Sequence, residues 1–177
     1  AGFGADAAPS SFGNSPPVTE TSSVQEASSL VGPVAFFQES FPCSVEASRL
    51  ALRRLVVFLK DQGVDQEILS TWEIVVTEGL NNAVLHCNSP SSSAKPVDLR
   101  AECHVDYAEI TIEDHTAGFC WPATVDLPSE QSEEGRGIFM IQSFMDESDY
   151  LNGTHSNRLV LRKRHPPLAA FSATSGG

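Results

Sequence analysis

The chain has 177 residues, 41% of them hydrophobic, enough for one domain with a real core and two tails. Its 11 Lys and Arg against 23 Asp and Glu give a formal net charge of −12, which argues against a duplex nucleic-acid surface, since that needs clustered cations to displace counterions from phosphates. No stretch reaches the roughly 18 apolar residues of a membrane span and the N-terminal region lacks a charged-then-apolar signal pattern, so a cytoplasmic protein with no membrane contact and a basic or dipolar partner is expected.

Residues 1–32 are rich in Ser, Pro, Gly and Ala without a sustained period, too poor in apolar surface to offset ordering entropy, and are expected to be a disordered arm. "VAFFQESFPC" (34–43) reads as a strand. Ser44 can cap a helix from Val45 to about Gln62, with the stripe Leu52, Leu55, Val56, Leu59 and a left-handed closure at Gly63. Asp65 caps a second helix, to about Cys87, with the stripe Leu69, Trp72, Val76, Leu80, Ala83, Cys87. "VDLRAECHV" alternates, with Val97, Leu99, Ala101, Cys103 and Val105 inward, and "YAEITIED" repeats this with Ala108, Ile110 and Ile112 inward, so the two form an antiparallel hairpin. A Gly-, Pro- and acid-rich loop spans 115–135, a helix follows at about 136–146, and strands are expected near 147–152 and 157–164, with 166–177 a flexible tail. "RKRH" at 162–165 reads as the solvated end of the last strand. The order predicts an α+β two-layer sandwich over 33–165, with helices on one face of a mostly antiparallel mixed sheet.

Cys43, Cys87, Cys103 and Cys120 are 44, 16 and 17 residues apart, without a C-x-x-C pair or a His at metal-ligand spacing, and indicate neither zinc nor a disulfide frame. Cys87 and Cys103 lie on apolar stripes and are expected to pack as small hydrophobes.

Three polar features interrupt the apolar pattern. Glu78 and Asn82, four residues apart on the second helix, face away from its stripe; the pair suits a site where Asn gives a carbonyl oxygen to Mg²⁺ and Glu activates a nucleophile, or is an ordinary solvated pair. Asp114 has the inward parity of Ile110 and Ile112, so it needs a donor, such as an adenine amino group, unless it only forms the turn before "HTAG". In "EEGRGIFMIQSF", Gly135 and Gly137 let helix-terminal amides approach a phosphate, with Arg136 between them, or else form a hinge.

Taken together, "VTEGLNNAVLH", "IEDHTAGF" and "EEGRGIFMIQSFMDE" resemble the N box and two glycine boxes of the GHKL ATP-binding domain shared by histidine kinases, Hsp90-type chaperones and type II topoisomerases. Within that group the chain looks most like the bacterial anti-sigma-factor serine/threonine kinases, over about residues 36–164. The resemblance implies Glu78 as general base, Asn82 as Mg²⁺ ligand, His86 beside the phosphates, Asp114 on the adenine amino group and Gly118 along the base. Gly135, Arg136 and Gly137 would hold the phosphates beneath a mobile lid at about 123–134 that carries Asp126, Glu130, Glu133 and Glu134. One position departs from the family's D-x-G-x-G: Thr116 stands where the first glycine belongs, and if that glycine takes a positive φ a β-branched residue is strained and ATP binding weakened. The function implied is an ATP- and Mg²⁺-dependent protein kinase that phosphorylates a small antagonist protein and sequesters an RNA polymerase sigma factor, as a homodimer. A non-catalytic module that holds nucleotide or only a partner is the alternative, and a detached sensor-kinase domain a third.

Overall fold

The computed structural model describes residues 32–87, 95–125 and 135–168. The expected arm up to residue 31, the tail from 169 and the acidic lid stretch 126–134 lie outside the described residues. The elements are β1 (Ala35–Phe41), α1 (Val45–Asp61), α2 (Gln66–Cys87), β2 (Val97–Cys103), β3 (Tyr107–Asp114), α3 (Arg136–Phe144), β4 (Glu147–Asn152) and β5 (Asn157–Arg164). The five strands form one sheet in the order β1-β2-β3-β5-β4. Every neighbouring pair is antiparallel, so the mixed sheet anticipated from the sequence is antiparallel among the described residues.

Local chemistry sets the helix boundaries. The Ser44 hydroxyl accepts from the Ala47 N–H at 3.2 Å, and Gly63, at φ 85°, ends the run by donating to Lys60 O at 2.9 Å. The Asp65 carboxylate accepts from the Glu67 N–H at 3.0 Å and opens α2. Inward residues of β2, β3 and β5, among them Leu99, Ile110, Ile112 and Leu161, are fully buried against Leu55, Trp72, Val75 and Val76 of the helices. Hydrophobic burial of this two-layer core is the main force holding the sandwich together.

Three packing expectations are corrected. On α1 the buried line is Ser48, Ala51, Leu55 and Leu59, while Leu52 and Val56 are half-buried. The helix is rolled because the small Ser48 and Ala51 allow close approach to its neighbours α2 and β1. β2 ends at Cys103, and Val105 lies half-buried in the turn beyond it. Cys87 is not a free core residue: it is joined to Cys43 by a disulfide, with Cα atoms 6.4 Å apart. The last turn of α2 lies over the β1–α1 junction, so Cys87 meets Cys43 there. Cys103 is buried as expected, and burial pushes its thiol up to about 11.

Two further contacts bear on the site. A Cβ at Gly79 would come within 2.6 Å of Ile112 Cδ1 and 2.9 Å of Leu159 Cδ2, so only glycine lets α2 lie this close to the sheet. Arg162 pairs with Glu109 at 2.7 Å and Glu147 at 3.0 Å and lies 5.0 Å from the Tyr107 ring centre, in keeping with a charged, partly solvated strand end.

Candidate functional site

α2 packs its apolar side on the sheet, and Asn82 and His86 point into a cavity of about 160 Å³ at the sheet's edge of that contact. Gly79 and Ala83 of the same helix line the cavity between them. Opposite lie Asp114 and the residues after it, Thr116 to Phe119, with Tyr150 of β4 and Leu159 of β5 closing the wall. Asp114 and Asn82, 32 positions apart in the chain, thus share one cleft.

The carboxylate of Asp114 is only 5% exposed, and its two oxygens have different surroundings. Oδ1 accepts three hydrogen bonds: from the Thr116 N–H at 2.9 Å, the Thr116 hydroxyl at 2.6 Å and Asn157 Nδ2 at 3.1 Å. Oδ2 has the Tyr150 hydroxyl at 3.5 Å, too long to satisfy it. A buried carboxylate with one filled and one underused oxygen is an acceptor waiting for a ligand donor. Burial, and after it the charge of Asp114, pushes the Tyr150 phenol up to about 12, which keeps it a neutral donor at the cavity wall.

The loop after β3 is held by two asparagines. Asn157 Nδ2 also donates to Thr116 O at 3.0 Å, and Asn152 Nδ2 donates to Phe119 O at 3.0 Å. Thr116, at the place of the family's first glycine, makes the turn itself: it donates twice to Asp114, and its hydroxyl accepts from the Gly118 N–H at 3.2 Å. The left-handed glycine of this loop is Gly118, at φ 71°, and a Cβ there would collide with the Asn152 and Asn157 side-chain oxygens. Phe119 packs on Tyr150 with ring centres 4.3 Å apart, and Trp121 stacks on Tyr150 at 6.0 Å, giving the cavity an aromatic side suited to a flat ligand.

The second glycine stretch reaches the same region from α3. Gly135 is its N-cap, left-handed at φ 82° and without a side-chain cap, so a helix N-terminus opens at this point of the chain. A Cβ at Gly137 would sit 2.7 Å from Glu78 Oε2, which places the first turn of α3 directly on Glu78. Glu78 is one helical turn before Asn82, at the margin of the cavity. Of the residues singled out in the sequence, Asn82, His86, Asp114, Thr116 and Gly118 line the cavity, Glu78 and Gly137 meet beside it, and Gly135 and Arg136 are exposed at the start of α3.

Sequence reasoning missed Asn157, Asn152, Tyr150, Phe119 and Trp121. A signal for Asn157 existed: it shares the inward parity of Leu159 and Leu161, as Asp114 shares that of Ile110 and Ile112, and the two are register partners across β3 and β5. Two inward polar residues at matching strand ends predict each other.

The profile of the histidine kinase-like ATPase domain family matches residues 41–163. The chain is 27% identical over 121 residues to the serine-protein kinase RsbW of Staphylococcus epidermidis, covering 63% of this chain and 76% of that protein. Among solved structures, the RsbU and RsbW domains of a Mycobacterium tuberculosis protein superpose with a TM-score of 0.57 at 15% identity, over 76% of this chain. The match spans 33% of that longer chain. The SiaB–SiaC complex of Pseudomonas aeruginosa superposes with a TM-score of 0.50 at 11% identity, over 84% of this chain and 100% of the matched one. These structural likenesses extend to the fold.

Proposed function

Since the chain belongs to the histidine kinase-like ATPase domain family, we propose that it is an ATP-dependent serine/threonine protein kinase of the anti-sigma-factor type. It phosphorylates a small antagonist protein and, in its other state, sequesters a sigma factor in the cytoplasm. The similarity to a serine-protein kinase supports this reading. The observation that carries it is the convergence of three separate stretches: Asn82 and His86, Asp114 with its loop, and Gly137 on Glu78.

In this reading the adenine lies against the aromatic side and donates its amino group to Asp114 Oδ2, while Asn157 and Thr116 hold Oδ1 and so fix the carboxylate plane. The triphosphate runs toward the start of α3, where the helix N-terminus and Arg136 meet negative charge. Glu78 stands at that end and accepts the proton of the incoming Ser or Thr hydroxyl as it attacks the γ-phosphorus.

Among the described residues no group of three or more His, Cys, Asp and Glu is placed to hold a metal ion alone. Mg²⁺ keeps several waters and is held through one or two protein oxygens plus substrate phosphates, and the Asn82 amide oxygen would be its protein ligand in the cavity. When bound, the ion supplies charge neutralisation at the phosphate oxygens.

A second reading, a module that holds nucleotide without turnover, draws on Thr116, whose hydroxyl takes a place on Asp114. Labelled ATP with the antagonist protein separates the two. Glu78→Gln should abolish transfer and leave ATP affinity within about twofold, as expected of a group acting only in the transition state. Equal transfer by both proteins would remove Glu78 from its role, and binding without any transfer by the wild type would favour the module.

A further inference from the structure

The four cysteines sort into three environments. Cys103 is buried, Cys120 is exposed and free, and Cys43 is bonded to Cys87. Both bonded residues are half-buried rather than enclosed in the core. This is not the disulfide frame of a secreted domain, where cysteines pair up throughout; here two remain free. In a compartment that keeps thiols reduced, a protein disulfide is typically transient or redox-sensing.

The position of the bond links it to the cavity. Cys87 is the last residue of α2 and His86, immediately before it, lines the cavity with Asn82 and Ala83. Cys43 belongs to the β1–α1 junction, anchored by the buried Phe41 and by Ser44 at the start of α1. The bond therefore pins the terminal turn of the helix that carries the pocket residues. Without it, that turn has the usual weakness of a helix C-terminus, whose last four carbonyls lack intrahelical donors. Cys43 Sγ lies 3.8 Å from Ala83 O and 4.0 Å from Val84 O, so a reduced thiol there keeps only weak S–H contacts.

We propose that Cys43 and Cys87 form a reversible thiol–disulfide exchange site whose co-substrate is a dithiol, and that its state sets how tightly the cavity holds nucleotide. A thiolate of the dithiol attacks one sulfur of the pair, forming a mixed disulfide as the Cys43–Cys87 bond breaks. The second thiol of the reductant then displaces the remaining cysteine. Two electrons pass from the dithiol to the pair, its two protons end on Cys43 and Cys87, and the reductant leaves as its own disulfide. The oxidised pair holds the pocket ready and the reduced pair releases it. This inference rests on the nucleotide reading of the cavity.

The test uses the full chain, oxidised with glutathione disulfide or reduced with dithiothreitol. Thiols counted after denaturation should number two and four, the difference being the pair, since the chain has four cysteines of which two are free. Calorimetric titration with ATP and Mg²⁺ should give a Kd about tenfold weaker in the reduced form, a size typical of coupling between two sites. Cys43→Ser should behave as the reduced form in both conditions. Four thiols in the glutathione-treated protein, or equal Kd values with two and four thiols, overturn the proposal. If neither form binds ATP, the kinase reading fails and the coupling to nucleotide falls with it, while the exchange site and its hold on α2 are still decided by amide exchange: faster exchange at residues 83–87 on reduction upholds that part, and unchanged exchange overturns it.

Discussion

Asn157→Asp tests the network around Asp114, because it keeps the side-chain shape and changes only the chemistry. The amide of Asn157 donates to Asp114 Oδ1 at 3.1 Å and to Thr116 O at 3.0 Å. A carboxylate there loses both donors and sets a second negative charge at the same distance. Two unit charges at that separation repel by about 5 kcal/mol at an effective dielectric constant of about 20. The pair escapes that cost by keeping one proton, and holding a proton at pH 7 on a group with an ordinary pKa of about 3.9 costs about 4 kcal/mol. The variant should thus be about 4 kcal/mol less stable than wild type at pH 7. The gap should close by about 1.4 kcal/mol per pH unit on acidification and be nearly gone near pH 4, where a shared proton replaces the lost amide donor. Urea unfolding followed by tryptophan fluorescence at pH 4 to 7 measures this. A variant as stable as wild type at pH 7, or a gap that does not narrow in acid, refutes the account of Asn157 as the donor that holds Asp114.

Gly79→Ala forces a methyl into the space of Ile112 Cδ1 and Leu159 Cδ2, at 2.6 and 2.9 Å, and should cost about 1–3 kcal/mol in urea unfolding. Gly137→Ala meets only the movable tip of Glu78, so the urea midpoint should hold or rise while phosphoryl transfer falls by about 10- to 100-fold, the effect of misplacing a catalytic group by about an ångström. The thiol of Cys103 is pushed from 9.0 to about 11 and the phenol of Tyr150 from 10.0 to about 12, each chiefly by burial. Both groups hold their protons more tightly folded than unfolded, so their contribution to stability is complete below pH 9 and is lost as pH rises to about 12. Urea midpoints across that range should fall, and Tyr150→Phe should flatten the upper part of the fall.

Much of the molecule is legible because the strands repeat at two and the helices at about 3.6 residues. The alternation through Val97–Cys103 and Tyr107–Asp114 gives the buried face of β2 and β3 and marks Asp114 as an inward acid, as the structure has it at 5% exposure. The polar line Glu78, Asn82, His86 on α2 is readable by the same arithmetic, and two of its members line the cavity. Features that depend on cross-chain pairing are not readable locally. Asn157 follows "NGTHS", where it looks like part of a turn, and only the β3–β5 register turns it toward Asp114. A spacing of 44 residues between Cys43 and Cys87 says nothing of the 6.4 Å between their Cα atoms, which is set by how α2 ends over the start of α1. The roll of α1 escapes for a related reason: Ser48 and Ala51 are small rather than oily, and a hydrophobic stripe overlooks them.

The pairing of β3 with β5 also orders events during assembly. Asp114 must wait for a side chain 43 residues downstream before its carboxylate is fastened, and β5 is the strand that also carries β4, with Tyr150, into the sheet. Helices and the β2–β3 hairpin involve near neighbours in sequence and can form early, whereas this distant closure comes at the greater entropic cost. The cleft is thus complete only once this long-range pairing has formed, and a molecule that grips its ligand has already joined the two parts of its sheet. Affinity for that ligand doubles as a check on completion: at saturating concentration it draws the population toward fully assembled chains and withholds that gain from partial ones.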